Sequence, residues 1–137
     1  MNDNTIFEYD LIIRELMLDS FGHVNNAVYA QLYEEARWDF ITKNNYGLDR
    51  IKELQIGPVI LDMKIRFKRE LLNREKVRIT SRTSALVSSR IMVLEQIMYK
   101  ESGKIASEAE FTVGLFDMKE RRLVDATPEW LKAIGVK

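Results

Sequence analysis

The sequence predicts a protein of the α+β class, in which one long helix packs against a mostly antiparallel sheet. Hydrophobic residues recur every three to four positions in one early segment and every second position in several later ones. The later segments are joined by connections too short for helical crossovers, so neighbouring strands must run antiparallel. The chain of 137 residues predicts a single domain over residues 1–137. A domain of this size can bury a core without disulfides or metals.

The first two predicted elements are a strand and the long helix. Residues 7–16 form the predicted strand, and the helix is expected from Asn26 to about Lys43. Gly47 follows, and a glycine in the left-handed conformation often ends a helix. The apolar residues of the helix lie on one side, as expected for a helix covering a sheet. This stripe consists of Tyr29, Leu32, Tyr33, Ala36 and Phe40.

Four further strands and a short helix complete the prediction, which gives a sheet of five strands. After Pro58 the hydrophobic period falls to two, so Met63, Ile65 and Phe67 face one way and the charged residues between them face the other. The turn signal ESGK separates the last two strands. In TPEWLKAIG, Thr127 can cap a closing helix. The remaining strands are predicted at residues 77–85, 91–99 and 105–117.

Composition excludes several classes of function. The 21 basic and 21 acidic side chains balance, which argues against a nucleic-acid-binding protein. The absence of cysteine excludes disulfides, thiolate zinc sites and a cysteine nucleophile, and the single histidine excludes a multi-histidine metal site. We therefore expect no bound metal.

The sequence also carries no signal for export or membrane insertion. The start, MNDNTIFEYD, lacks the basic and apolar regions of a signal peptide. No apolar run reaches the roughly 18 residues needed to span a bilayer. We therefore expect a cytoplasmic protein that does not insert into membranes.

The segment LDSFGHVNNAVY, residues 18–29, concentrates polar groups immediately before the helix. Asn25 or Asn26 can cap the helix, and an Asx turn is a common use of an aspartate in such a loop. These uses leave Asp19, Gly22 and His23 together unexplained. Free N–H groups at a helix N-terminus can stabilise an oxyanion, and a nearby carboxylate can attack a carbonyl or activate water. The loop thus has the groups that acyl transfer needs, although an Asx turn and an ordinary cap are the more common uses of such residues.

Residues 18–37, LDSFGHVNNAVYAQLYEEAR, resemble the signature of hotdog-fold acyl-CoA thioesterases of the 4-hydroxybenzoyl-CoA thioesterase type. The element HVNN is also similar to plant acyl-ACP thioesterases, which share the fold. The resemblance implies a hotdog fold, in which a five-stranded sheet wraps a central helix. It further implies hydrolysis of an acyl-CoA thioester to a free acid and CoA. No cofactor is implied, because CoA is part of the substrate; an acyl carrier protein thioester is the alternative donor.

The resemblance also assigns roles to residues of the loop. Asp19 takes the position of the catalytic carboxylate, acting as nucleophile or general base. The backbone N–H of Asn26 points at the thioester carbonyl, and Gly22 lets the loop approach the ligand closely. His23 and Asn25 orient the loop through hydrogen bonds.

Other residues bear on the substrate. Tyr29 is expected to line the acyl pocket, or else to belong to the core. The aromatic-acid enzyme of the family has bulky residues where this chain has Val24 and Asn25, so a hydroxybenzoyl substrate does not follow and a fatty acyl group is equally open. A second hotdog class uses a helix glutamate after a His-Gly-Gly motif. Glu34 and Glu35 have no such motif before them, and we expect them to face solvent or form helical ion pairs.

The phosphates of CoA require basic groups near the acyl pocket. Arg90 is our candidate nucleotide contact, with Ser88 or Ser89 as its neighbour, because related enzymes place such contacts at about this strand start. The alternating cations from Lys64 onward are more simply explained as the solvent face of a strand. Hotdog domains pair through their sheets, so a homodimer or homotetramer is expected, with the active site at the subunit boundary.

Two alternatives remain open. A hotdog hydratase or dehydratase would use an acid–histidine pair, for which Asp19 and His23 are weak candidates. A non-catalytic module that binds acyl-CoA would use the same fold, since fold alone does not fix function.

Overall fold

The computed structural model describes residues 2–137, and the order of its elements agrees with the predicted one. The strands are β1 (Ile6–Ile12), β2 (Ile56–Phe67), β3 (Lys76–Leu86), β4 (Ile91–Tyr99), β5 (Ile105–Asp117) and β6 (Arg122–Val124). The helices are α1 (Asn26–Lys43), α2 (Leu48–Leu54) and α3 (Pro128–Ala133), and a 3-10 turn spans Glu15–Met17.

The sheet has the strand order β1-β3-β4-β5-β2, and every pair is antiparallel. The short β6 extends the sheet by pairing with the end of β5. The five predicted strands are therefore present, and the sixth is an addition of three residues. Among the described residues, no strand pairs with the outer edge of β2, which is 12 residues long.

The core lies between α1 and one face of the sheet. All the residues of the predicted helix stripe are buried, and Ile41 joins them. From the sheet, Ile79, Leu94 and Phe111 close the core at 3% exposure or less. Phe7 on β1 stacks against Phe40 on α1 with ring centroids 4.6 Å apart. The hydrophobic period of α1 thus faces the sheet along the length of the helix.

Strand β2 shows the predicted alternation, but its apolar side is not fully buried. Met63, Ile65 and Phe67 are opposite residues of β5 on the helix side of the sheet. Met63 and Phe67 nevertheless remain 51% and 53% exposed. The reason is their position at the edge of the sheet, where no neighbouring strand covers them.

Two predicted boundaries and the predicted conformation of Gly47 were wrong. Strand β1 ends at Ile12, because the chain turns into the 3-10 segment and leaves Leu16 fully exposed. Gly47 does not end α1 in a left-handed conformation: Asn45 has the positive φ of 67°, and Gly47 precedes α2, which was not predicted.

The second wrong boundary is the start of β2. This strand begins at Ile56, ahead of Pro58. A proline is tolerated there because β2 is an edge strand, where the missing N–H leaves no bond unmade.

Residues 2–137 lack both a membrane-spanning helix and a cluster of metal ligands. None of their helices is long and apolar enough to cross a membrane. They contain no cluster of three or more His, Asp and Glu side chains arranged to hold a metal ion.

Candidate active site

The loop before α1 is a tight turn closed by its own backbone. Leu18 and Val24 form an antiparallel bridge, and within it the Asp19 N–H donates to the His23 carbonyl oxygen at 2.8 Å. Gly22 has a φ of +83°, a region that favours glycine. A Cβ atom there would meet nothing within 4 Å. The backbone conformation therefore requires this glycine, and the predicted close approach of a ligand remains a prediction.

The Asp19 carboxylate is oriented by two backbone N–H groups. Its Oδ1 accepts from Phe21 at 2.9 Å and from His23 at 3.3 Å. This is the Asx-turn arrangement that the sequence left open as an alternative. It occupies only one oxygen: none of the described residues donates a hydrogen bond to Oδ2. The carboxylate is thus fixed in direction and keeps one oxygen for a ligand or a water.

Helix α1 starts directly after this loop, and Asn25 is its cap. The Asn25 side chain accepts from the Ala27 N–H at 2.9 Å, and the backbone N–H of Asn25 donates to the Met17 carbonyl oxygen at 2.9 Å. Asn26 is the first residue of the helix and is exposed. Its N–H belongs to the first turn, where donors have no partner inside the helix and the helix dipole is positive. This end of α1 can bind a developing oxyanion.

His23 connects the site to the loop between β2 and β3. Its Nε2 lies 3.1 Å from Glu70 Oε2, and its backbone forms an antiparallel bridge with Leu72. Val24 adds a backbone bond to Leu71 at 3.2 Å. These contacts join His23 to the second loop, and its role in orienting the Asp19 loop through hydrogen bonds remains a prediction. Glu70 was not predicted, since it lies far from His23 in the sequence.

Tyr29 packs one turn into α1, beside the same loop. It is 4% exposed, and its ring meets the Phe67 ring edge-on at 5.0 Å. Burial raises the pKa of Tyr29; the Leu71 backbone opposes this rise, and the nearby carboxylates, Asp19 among them, add to it. Tyr29 is therefore a core residue next to Asp19, and its contact with an acyl group remains a prediction.

Ser89 and Arg90 lie at the far end of the sheet from Asp19 in the same chain. Strand β3 begins at Lys76 beside the Asp19 loop and ends at Leu86 beside Arg90. Ser89 Oγ and Arg90 Nε both donate to Asp125 Oδ1, at 2.8 and 3.1 Å. These bonds hold the pKa of Asp125 below its ordinary value. One chain does not bring Arg90 and Asp19 together.

A cavity of about 90 Å³ lies between α1 and β2. Its walls are mainly apolar and include Trp38, Pro58 and Ile60. Arg37 also lines it: its Nη1 donates to Gln96 Oε1 at 2.9 Å and its guanidinium lies 4.2 Å from the centre of the Phe111 ring. Burial lowers the pKa of Arg37 to about 10. The cavity was not predicted, because its two walls come from distant segments.

The two helix glutamates lie outside the Asp19 loop. Glu34 and Glu35 are both exposed, as expected. Glu35 Oε2 accepts a hydrogen bond from the Tyr9 hydroxyl at 2.7 Å, a cross-element contact that helix spacing could not predict.

The antiparallel sheet packed over the long helix α1 is the layer arrangement of a hotdog fold. The model of the thioesterase-like superfamily matches residues 14–134. The chain belongs to this superfamily, and the predicted fold and class of enzyme are confirmed.

Individual relatives agree with the family match. Long-chain acyl-CoA thioesterase FadM of Escherichia coli (strain K12) is 27% identical over 110 residues, 80% of this chain and 83% of FadM. The chloroplastic acyl-acyl carrier protein thioesterase ATL3 of Arabidopsis thaliana is 30% identical over 84 residues, 61% of this chain and 44% of ATL3. The structure of the YbaW probable thioesterase of Escherichia coli is 25% identical, with a TM-score of 0.81 over 95% of this chain and 98% of YbaW.

Proposed function

We propose that this protein hydrolyses an acyl-CoA thioester to a free acid and CoA, with Asp19 as nucleophile or general base. The observation that carries the proposal is the Asp19 carboxylate, which is held through Oδ1 only and lies on the loop that leads into α1. The Asn26 N–H at the start of α1 stabilises the negative charge on the thioester carbonyl oxygen. Gly22 and His23 shape the loop, and Asn25 caps the helix.

Either role of Asp19 gives a balanced reaction. As a nucleophile, Asp19 Oδ2 bonds to the carbonyl carbon, the C–S bond breaks, and water then cleaves the acyl–aspartyl anhydride. As a general base, Asp19 takes a proton from water while the water oxygen attacks the same carbon. In both cases CoA leaves as the thiolate. None of these steps uses a metal or a redox cofactor.

The acyl group of the substrate is proposed from the relatives. FadM is named for long-chain acyl-CoA, so a fatty acyl-CoA is the first candidate. ATL3 is named for acyl carrier protein thioesters, which keeps that donor as the alternative. The cavity beside Trp38 is mainly apolar, and its volume of about 90 Å³ admits a short part of such a hydrocarbon chain.

We further propose that the active enzyme is a homodimer joined through β2, either alone or within a tetramer. A long, unpaired edge strand with exposed apolar side chains is a template for pairing. On β2 these side chains are Ile60, Leu61, Met63 and Phe67, each between 38% and 53% exposed. A two-fold axis perpendicular to the sheet would pair the two β2 strands antiparallel and keep both α1 helices on one face.

Such a pairing explains why Arg90 lies far from Asp19 in one chain. Antiparallel β2 strands would set the Ile56 end of one chain beside the Phe67 end of its partner. The Asp19 loop lies at the Phe67 end, whereas Arg90 and Ser89 lie at the Ile56 end. We propose that Arg90 and Ser89 contact the CoA phosphates of the neighbouring subunit's substrate, and that Tyr29 lines the acyl pocket.

The proposed reaction is tested by thiol release from short, medium, long and aromatic acyl-CoAs and from an acyl carrier protein thioester. Asp19→Asn keeps the Oδ1 acceptor of the turn but removes the charge, so we expect turnover to fall at least about a hundredfold with the fold retained. Near-normal turnover by Asp19→Asn would remove Asp19 from the mechanism. Saturable binding without thiol release would favour the acyl-CoA-binding module, and hydration of an enoyl thioester would favour the hydratase.

The remaining expectations accompany this proposal. Residues 1–137 act as one hotdog thioesterase domain. A cytoplasmic location, the absence of a cofactor and the lack of contact with nucleic acid or membrane stay predictions.

A further inference from the structure

A carboxylate on the loop between β2 and β3 faces the imidazole of the site. Glu70 Oε2 lies 3.1 Å from His23 Nε2. An ionised carboxylate only accepts hydrogen bonds, so a carboxylate oxygen 3.1 Å from Nε2 favours a hydrogen on that nitrogen. When the ring is neutral, the lone pair is therefore on Nδ1, which can accept a hydrogen bond from water. Glu70 thus selects one of the two tautomers of His23.

The backbone of Glu70 is held in place from behind. Lys100 Nζ donates to the Glu70 carbonyl oxygen and to Glu75 Oε1. The Lys100 and Glu75 side chains are only 17% and 13% exposed. The Glu75 carboxylate also accepts from the backbone N–H groups of Leu72 at 3.2 Å and Glu101 at 3.3 Å. The backbone from which the Glu70 side chain extends is therefore held in one position.

The backbone of His23 is hydrogen-bonded to Asp19 in both directions. The His23 N–H donates to Asp19 Oδ1 at 3.3 Å, and the His23 carbonyl accepts from the Asp19 N–H at 2.8 Å. The two loops are already joined by the backbone bridge between His23 and Leu72. The Glu70 side chain is not needed for that joining, so its contact with the ring has a separate effect.

We propose that Glu70 is a positioning residue for thioester hydrolysis, which fixes the His23 ring with Nε2 protonated and so steadies the carboxylate of Asp19. This inference rests on the proposed function, because it takes Asp19 to be in the reaction. In this proposal Glu70 acts through His23, whose ring nitrogen it faces.

The kinetic test uses Glu70→Ala and Glu70→Gln. We expect Glu70→Ala to lower kcat about fivefold with KM changed less than about twofold, as for loss of one partly exposed ion pair. Glu70→Gln keeps an acceptor oxygen and loses less. In a His23→Ala background, Glu70→Ala should have no further effect. Glu53→Ala removes a similarly exposed carboxylate from α2 and serves as the control. An equal loss with and without His23 would overturn the proposal.

A second measurement does not depend on turnover. His23 is the only histidine of the chain, so a ¹⁵N spectrum of its ring nitrogens is unambiguous. We expect the Nε2–H tautomer alone in the wild type, and both tautomers in exchange in Glu70→Ala. An Nδ1–H tautomer in the wild type would contradict the proposal. If the wild type lacks Asp19-dependent hydrolysis, the proposed function fails whichever tautomer is found.

Discussion

At the scale of single residues, His23 and Arg37 are held by contacts from other elements, whereas the Asp19 carboxylate is held by the backbone of its own turn. Tyr9 is a similar case, since its hydroxyl donates to Glu35 Oε2 across the β1–α1 contact at 2.7 Å. The contact of Tyr9 makes the stability of the protein depend on pH.

Tyr9 gives a prediction for the alkaline range. Burial, followed by the bond to Glu35, raises the pKa of Tyr9 from 10.0 to about 12. The folded state therefore holds this proton more tightly than the unfolded chain does. The stabilisation is complete below pH 10 and is lost as the pH rises toward 12. Urea unfolding between pH 9 and 12 should show a falling midpoint, with a shallower fall in Tyr9→Phe. Equal slopes for the two proteins would contradict this account.

At the scale of elements, the start of α1 has two functions, one in stability and one in the proposed reaction. The Asn25 side chain accepts from Ala27 and stabilises the helix, whereas the Asn26 N–H is proposed to stabilise an oxyanion. A helix cap and an oxyanion site both use the unpaired donors of the first turn. Adding a negative charge affects helix stability and oxyanion stabilisation differently, so the two functions can be tested separately.

Substitutions of Asn25 distinguish the capping of α1 from the stabilisation of an oxyanion. Asn25→Ala removes the cap and should lower the free energy of unfolding by about 1 kcal/mol. Asn25→Asp keeps the acceptor and should preserve the stability. The added negative charge beside the developing oxyanion should nevertheless lower kcat. Urea denaturation and thiol release measure the two effects. Asn25→Asp with unchanged kcat would argue against an oxyanion at this helix end.

The elements also show which features the local sequence pattern can predict. The three-to-four-residue period of α1 and the alternation in β2 were predicted correctly, because both follow from the geometry of a single segment. Helix α2 was not predicted. It is seven residues long, and Ile51 is its one buried residue. A helix this short shows no clear periodicity of hydrophobic residues.

At the scale of the whole molecule, the separation of Arg90 from Asp19 is the main geometric problem. The proposed dimer solves it by supplying Arg90 from the partner. The same pairing would bring the apolar cavity beside Pro58 and Ile60 toward the partner's Asp19 loop, because both residues lie at the far end of β2.

Mixed dimers test this arrangement. We expect Arg90→Ala to raise KM for acyl-CoA more than it lowers kcat. In a dimer of one Asp19→Asn chain and one Arg90→Ala chain, the intact Asp19 would face the intact Arg90 of its partner. KM should then be close to that of the wild type, with about half its turnover. A raised KM, equal to that of the Arg90→Ala homodimer, would place both residues in one chain's site. A dimer of Asp19→Asn with the wild type is the control, and sedimentation equilibrium checks the oligomeric state.

The sequence by itself determined the class of fold, the long helix and the Asp19 loop. Each of these depends on neighbours in the chain: the spacing of apolar residues, the glycine with a positive φ, and the asparagine cap. Tertiary structure alone decided the contact of Glu70 with His23, the burial of Arg37 over Phe111 and the open edge of β2. These features depend on which distant segments become neighbours, and a local pattern of hydrophobic and polar residues does not encode that pairing.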